Sequence, residues 1–336
     1  MFETYLGIDV HKKRCVYTQV NTQGKIMDRG SFHNEIMEVS DFACRLDSGT
    51  HLVLEPVLNY LWLLDQLEPY VGSVHVATPY KVRVIAESKC KTDSYDSRIL
   101  AELLRTNFLP ESWIPPKELR SLRTLIRQRY HLVSSMVSFK NRIRYLLFTF
   151  GVHIPVSDIS SEKAKRMISG SILPDTEMRS IHRCFEMIDM LKSSIGEIDE
   201  SLDEASDGIE EIKLLRTIPG MGRIWSVTTY AEIGDINRFS SEKAFASYTG
   251  LVPSVRSSGD SCHHGGITHL GSKPLRHSLV EVAIRAIRRV PSLKRMHSRL
   301  LYRGNVQKAR VAVARKLATI IYVMLKKKEP FRLESV

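Results

Sequence analysis

Four carboxylates stand where a metal-dependent phosphoryl-transfer site would need them. Asp9 closes the apolar run Leu6-Gly7-Ile8-Asp9-Val10 and Glu55 closes His51-Leu52-Val53-Leu54-Glu55, so each strand delivers one acid to the rim of a sheet. Asp93 and Asp96, in Lys91-Thr92-Asp93-Ser94-Tyr95-Asp96, stand three apart at a helix start and share a face of its first turn. Taken singly, each acid has a plainer reading as a helix-dipole partner, a cap or an ordinary strand end. Taken together they form a cluster that is electrostatically costly unless divalent cations sit in it. Two such ions roughly 3.5 to 4 Å apart are a known device for activating and stabilising the oxygens of phosphoryl transfer. The expected metal ligands and catalytic acids are therefore Asp9, Glu55, Asp93 and Asp96, with Mg2+ or Mn2+ as cofactor.

Positioning these acids requires a sheet with helices on it. Short β-rich runs at Thr4 to Val10, Arg14 to Val20 and Lys25 to Phe32 predict a three-stranded meander. Helical spacing follows at Ile36 to Leu46, Leu58 to Tyr70, Lys81 to Glu87 and Ser94 to Arg105, with strands at His51 to Leu54 and Ser73 to Ala77. The order β-β-β-α-β-α-β-α is that of a ribonuclease-H-like domain.

From Pro115-Pro116 onward the apolar positions Leu119, Leu122, Ile126, Tyr130, Val133 and Val137 step at helical intervals, and a second stripe runs from Ile181 to Leu202. These predict an antiparallel helical hairpin, or a coiled-coil arm pairing between subunits. A third region opens with Thr217-Ile218-Pro219-Gly220-Met221-Gly222, readable as a helix-hairpin-helix turn that admits a phosphate or as a plain helix corner. Residues 240–250 read as helix, 251–272 as a Gly/Ser/His-rich loop, and 274–290 and 306–327 as basic amphipathic helices. The predicted domains are 1–110, 111–207 and 208–336.

The net charge of +12 is concentrated. Residues 101–150 carry 9 basic and 3 acidic residues and 251–336 carry 18 and 4, whereas 151–250 carry 11 and 17. Basic blocks on an otherwise acidic chain select a phosphate-backbone partner. Arg123 and Arg127 on the first long helix, and Arg285, Arg288 and Arg289 near the end, are the expected nucleic-acid contacts. Five widely spaced cysteines without a C-x-x-C pair fit reduced thiols, and no apolar run reaches membrane-spanning length. The expectation is a soluble, cytoplasmic protein with no membrane partner. Cys262-His263-His264, with His269 and His277, matches no standard zinc spacing, so the histidines are read as phosphate neighbours or proton carriers.

The segments Gly7-Ile8-Asp9-Val10-His11-Lys12-Lys13, Leu54-Glu55 with Tyr60, and Lys91-Thr92-Asp93-Ser94-Tyr95-Asp96-Ser97-Arg98 resemble the four-acid (DEDD) signature of Piv-like insertion-sequence transposases. Ile218-Pro219-Gly220-Met221-Gly222, Phe245 to Pro253, Ser258-Gly259 and Gly271 to Arg276 are similar to that family's transposase domain in order and spacing. One departure is Pro56-Val57-Leu58-Asn59, where the family has a small glycine-containing run. The resemblance implies a RuvC-like N-terminal domain, a helical arm, a mostly helical C-terminal transposase domain and recombination of double-stranded donor and target DNA. It implies a serine nucleophile at Ser258, with Ser257 and Ser261 as neighbouring candidates and Arg256, Lys273 and Arg276 placed to hold phosphate. It further implies a noncoding guide RNA that reads sequence by base pairing, and assembly as a homodimer or dimer of dimers. Piv-type inversion, a Holliday-junction-type nuclease using only the carboxylates and metal-activated water, and a non-catalytic binding protein are the rival readings.

Overall fold

The computed structural model describes residues 3–57, 59–85, 92–258, 261–268, 271–302 and 304–332, with the backbone alone for 255–258 and 261–264. The chain divides into two compact units, Met1–Ile114 and Pro115–Val336.

In the first unit β1 (Thr4–Val10), β2 (Arg14–Asn21) and β3 (Ile26–His33) form the meander, and β4 (Thr50–Leu54) and β5 (Ser73–Val76) extend it into a five-stranded sheet of order β3-β2-β1-β4-β5. The first three strands pair antiparallel, whereas β1, β4 and β5 run parallel. Alternation assigns the faces. Leu6, Ile8, Val10, Leu52, Leu54 and Val76 pack with Val39 and Phe42 of α1 (Ile36–Ala43) and Leu63, Leu64 and Leu67 of α2 (Tyr60–Leu67). The opposite face packs Val53 and Ala77 against Val82 of α3 (Pro79–Ile85) and Leu100 and Leu103 of α4 (Asp93–Arg105). The helix expected over Lys81 to Glu87 begins earlier, at Pro79, and residues 86–87 lie outside the described residues.

Two contacts set α4 onto this second face. A Cβ on Gly7 would lie 2.0 Å from the Ser97 carbonyl oxygen and 2.7 Å from the Ala101 nitrogen, so only glycine lets the helix backbone lie directly on β1. Thr18, register partner of Gly7 on β2, meets the buried Ser97 hydroxyl at 2.9 Å.

In the second unit α5 (Lys117–Thr149) and α7 (Asp175–Ser206) pair antiparallel within the chain, and α6 (Glu162–Ser169) packs beside them. Ile143, Leu146 and Leu147 meet Ile181, Phe185 and Ile188, while Arg129 reaches back to Asp199 at 2.6 Å. The two stripes thus satisfy each other within the chain. Of the expected stripe, Val137 is exposed. The remaining helices are α8 (Glu210–Arg216), α9 (Arg223–Ile233), α10 (Glu242–Tyr248), α11 (Lys273–Ala286), α12 (Pro291–Tyr302) and α13 (Val306–Lys327), packed around one apolar core.

The expected loop at 251–272 is instead a β-hairpin, β6 (Pro253–Ser258) with β7 (Ser261–Ile267). Its Gly and Ser content resembles a loop, but the backbone pairs from Pro253 with Ile267 to Ser258 with Ser261. Helices α6, α8 and α12 lie outside the helices expected from periodicity. Cys15, Cys44 and Cys184 carry free thiols. Among the described residues no helix is long and apolar enough to cross a membrane.

Candidate active site

Asp9 lies one residue beyond Ile8, which pairs with Leu54 across the parallel β1–β4 ladder. Glu55 is likewise one residue beyond Leu54, so the register sets both acids level on adjacent strands. Both continue the face that carries Gly7 and Val53, under α4. Thr92 caps α4 by accepting the Tyr95 amide, and Asp93 and Asp96 fill its first turn, where negative charge is favoured.

The rim brings Asp9 and Asp93 together around His11. The His11 Nε2 lies 3.1 Å from Asp9 Oδ2 and 3.4 Å from Asp93 Oδ2, and Arg14 Nη2 stands 3.9 Å from the same Asp93 oxygen. Ligand atoms of Asp9, His11 and Asp93 all fall within 4.8 Å of one another. Asp9 is 8% exposed, and burial raises its carboxyl above the ordinary range. His11 partly offsets that rise, while repulsion from Asp96 and Asp93 adds to it. Asp96 is therefore close enough to be felt electrostatically without joining the tight trio, and Glu55 is placed by register one strand away. His11 escaped the sequence reading as a site residue. Its signal was the spacing Asp9-Val10-His11, which returns a strand-following side chain to the face of its i−2 neighbour.

The serines lie at the far end of the hairpin, where Ser258 pairs with Ser261, Ser257 with Cys262 and Arg256 with His263. Side chains of these six residues and of His264 fall outside the described set, as do Gly259, Asp260 and His269 entirely. His277 lies instead on α11, its ring 5.7 Å from Tyr130 and 5.4 Å from Trp225. Lys273 opens α11 and Arg276 sits in its first turn.

The basic residues divide into two kinds. Arg123 is 13% exposed and spends its guanidinium inside the fold, with Nε donating to the Ala231 carbonyl at 2.7 Å and Nη2 to that of Glu232 at 3.1 Å. It closes the C-terminus of α9, a role that sequence position did not reveal. Arg127 is 61% exposed, with Nη2 at 3.6 Å from Glu232 Oε1. Arg285 donates to Glu281 and lies over the Trp225 ring at 5.7 Å, and Arg288 and Arg289 are exposed. Arg285, Arg289 and Arg216 line a cavity of about 450 Å3 beside the turn at Gly220, which takes φ +97°.

The family model described as "Transposase", of the DEDD IS110 type, matches residues 6–150, and that described as "Transposase IS116/IS110/IS902 family" matches residues 212–298. This chain carries both domains of the IS110/IS116 transposase family. The first transposase domain contains all four acids and α5; the second contains the Gly220 turn, the hairpin and α11. Among relatives, the transposase for insertion sequence element IS1111A of Coxiella burnetii is 27% identical over 76% of this chain and 72% of its own length. The pilin gene-inverting proteins of Moraxella bovis and Moraxella lacunata are each 26% identical and align over 98% of both chains. The IS110/IS116 domains thus occur in relatives named for transposition and in relatives named for inversion.

Proposed function

We propose that this protein is the transposase of an insertion sequence, a recombinase that cuts and rejoins double-stranded DNA, with a RuvC-like N-terminal domain. The observation that carries the reading is the buried Asp9 at the rim of the β1–β4 ladder, crowded by Asp93 and Asp96, inside a transposase domain.

The donor set fits a hard divalent cation. Carboxylate oxygens suit Mg2+ and Mn2+, and an adjacent imidazole tolerates Mn2+ better than Mg2+. Asp9, Glu55, Asp93 and Asp96 would hold it, with His11 placed between Asp9 and Asp93. When bound, the cation supplies charge stabilisation to the attacking and leaving oxygens of phosphoryl transfer.

Ser258 is the proposed nucleophile. Its oxygen bonds to phosphorus as the bond from phosphorus to a deoxyribose oxygen breaks, and the serine proton ends on that oxygen as a hydroxyl; a deoxyribose hydroxyl later reverses the step and returns a proton to the serine, so the strands are rejoined without external energy. Arg256, Lys273 and Arg276 hold the phosphate, and Arg127, Arg285, Arg288 and Arg289 hold flanking backbone. A noncoding guide RNA, assembly as a dimer or dimer of dimers and action in a prokaryotic cytoplasm belong to the same reading, on the resemblance alone. Inversion is a second reading, favoured by full-length alignment with the pilin gene-inverting proteins.

The test is a suicide duplex nicked beside the crossover, resolved on a denaturing gel, with peptide mapping of any DNA-linked residue. Wild type should form a covalent adduct at Ser258, and Ser258→Ala should lose cleavage and adduct while keeping complex assembly. Mapping to Ser257 or Ser261 would shift the register. Cleavage by Ser258→Ala at the wild-type rate, leaving free phosphate ends, would replace this mechanism with that of a metal-dependent nuclease.

A further inference from the structure

Glu232 is a carboxylate that the proposed chemistry does not use, yet it is 2% exposed near the C-terminus of α9. Burying a carboxylate is expensive unless its partners have a purpose. One of them is Ser272, whose hydroxyl donates to Glu232 Oε2 at 2.9 Å and accepts the Leu275 amide as the cap of α11. The others are Arg123, 4.0 Å from Oε2, and Arg127, 3.6 Å from Oε1, an oxygen without a hydrogen-bond partner among the described residues.

Ser272 stands five residues after β7 ends, at the exit of the serine hairpin. The residue before it is fixed as well: Gly271 takes φ +92°, and a Cβ there would lie 1.9 Å from the Tyr248 carbonyl oxygen. Tyr248 in turn donates its hydroxyl to the Glu232 carbonyl at 3.1 Å. The entry strand starts just past the buried Thr249 and Leu251, and the Thr268 amide closes the base on the Val252 carbonyl. The hairpin is rooted at one end, and among the described residues its exit is held by the Ser272–Glu232 hydrogen bond and the close approach of Gly271 to Tyr248.

We infer that Glu232 is a positioning residue: through Ser272 it fixes the root of the hairpin and so the placement of the serine at its far end. At about 3.3 Å per residue, β6 carries Ser258 roughly 17 Å from the root. A tilt of about 5° at the root then moves the far end by ~1.5 Å, and misplacements of that size cost on the order of 100-fold in rate. The inference rests on the reading of Ser258 as nucleophile, so its test includes a measurement independent of that reading.

The full chain is compared as wild type, Glu232→Ala, Glu232→Gln, Ser272→Ala, Ser272→Thr and Ser161→Ala. The last removes the cap of α6, which accepts the Ala164 amide, and controls for loss of stability alone. Ser272→Ala and Glu232→Ala should slow adduct formation on the suicide duplex about 30-fold or more at saturating DNA, with DNA affinity within threefold of wild type. Ser272→Thr, which keeps the hydroxyl, and Glu232→Gln, which keeps an acceptor for it, should recover most of that rate. Hydrogen exchange of the 253–267 amides should quicken in Ser272→Ala and not in Ser161→Ala, whichever group attacks DNA. Hairpin exchange at the wild-type rate, or losses of rate, DNA affinity and Tm that run in parallel with Ser161→Ala, would overturn the inference. A Ser258→Ala protein that cuts normally would instead sink the nucleophile reading and leave the exchange result to judge the root.

Discussion

The two regions proposed to carry the chemistry are built in opposite ways. Asp9 and Glu55 are placed by register on a five-stranded sheet with helices on both faces, and Asp93 and Asp96 open the helix that one glycine seats on it. The serines sit at the end of a two-stranded hairpin that a few contacts hold at its base. A sheet rim gives a fixed constellation suited to holding a cation in one geometry. A rooted hairpin gives reach instead, suited to delivering a nucleophile to a large substrate, and its accuracy depends on the root.

The sharpest way to break this comparison is Asp9→Asn. Cleavage should fall by a factor on the order of 10^3 or more, equivalent to ~4 kcal/mol of lost transition-state stabilisation. Tm in a chelator at neutral pH should nonetheless rise, because the folded state raises the Asp9 carboxyl and so favours its neutral form. The sign gives the pH window. A raised carboxyl is tolerated best below its unfolded pKa and costs stability as pH climbs through its folded one, so the gain from Asn should shrink as pH falls through the carboxylate range. An Asp9→Asn protein equally active, or less stable than wild type in chelator at pH 7, would separate Asp9 from the acid group.

Next in size is Gly7→Ala. The new methyl drives into the backbone of α4, so thermal or urea unfolding should show a loss of ~3 kcal/mol. Stabilisation by Mn2+ should vanish with it, while hydrogen exchange in the serine hairpin stays unchanged. Full retention of Mn2+-dependent stabilisation would mean that α4 does not set the acids.

A smaller contrast distinguishes two arginines on one helix. Arg123→Gln removes the cover of the α9 C-terminus and should cost ~1–3 kcal/mol, seen in chemical denaturation. Arg127→Gln should leave stability within ~0.5 kcal/mol and lower the log-log salt slope of DNA binding by about 0.9. Equal effects of the two on the salt slope would return Arg123 to the nucleic-acid surface. Smallest is the loss from Arg285, Arg288 and Arg289 changed to glutamine one at a time, each expected to reduce the slope by about 0.9 with no change in adduct yield at low salt.

β1 and β4 were legible as strands whose apolar runs end beside an acid, and the four acids stood out only jointly, since each alone also suits a strand end, a cap or a helix start. Partners set by tertiary proximity were hidden. His11 reads as a turn residue until the strand period returns it to Asp9, and Arg123 reads as a surface cation until α9 arrives against it, some hundred residues later in the chain. The hairpin was missed because Ser, Gly and His carry weak strand propensity, so β6 and β7 lack the apolar alternation of a strand. Glu232 gave no signal, since its neighbours in sequence are not its neighbours in space.

The bond between Thr18 and Ser97 spans 79 positions, and nothing nearer in sequence than α4 brings a second acid helix to Asp9. Closing a loop of that length is slow beside the formation of the β1–β2–β3 meander. During synthesis, then, a nascent chain exposes Asp9 and Glu55 without Asp93 and Asp96 beside them until residues 93–105 have left the ribosome, so on the proposed reading the cation site is completed only then. A chain ending before residue 92 is expected to show no Mn2+-dependent protection in pulse proteolysis, and one ending after residue 114 to show it in full.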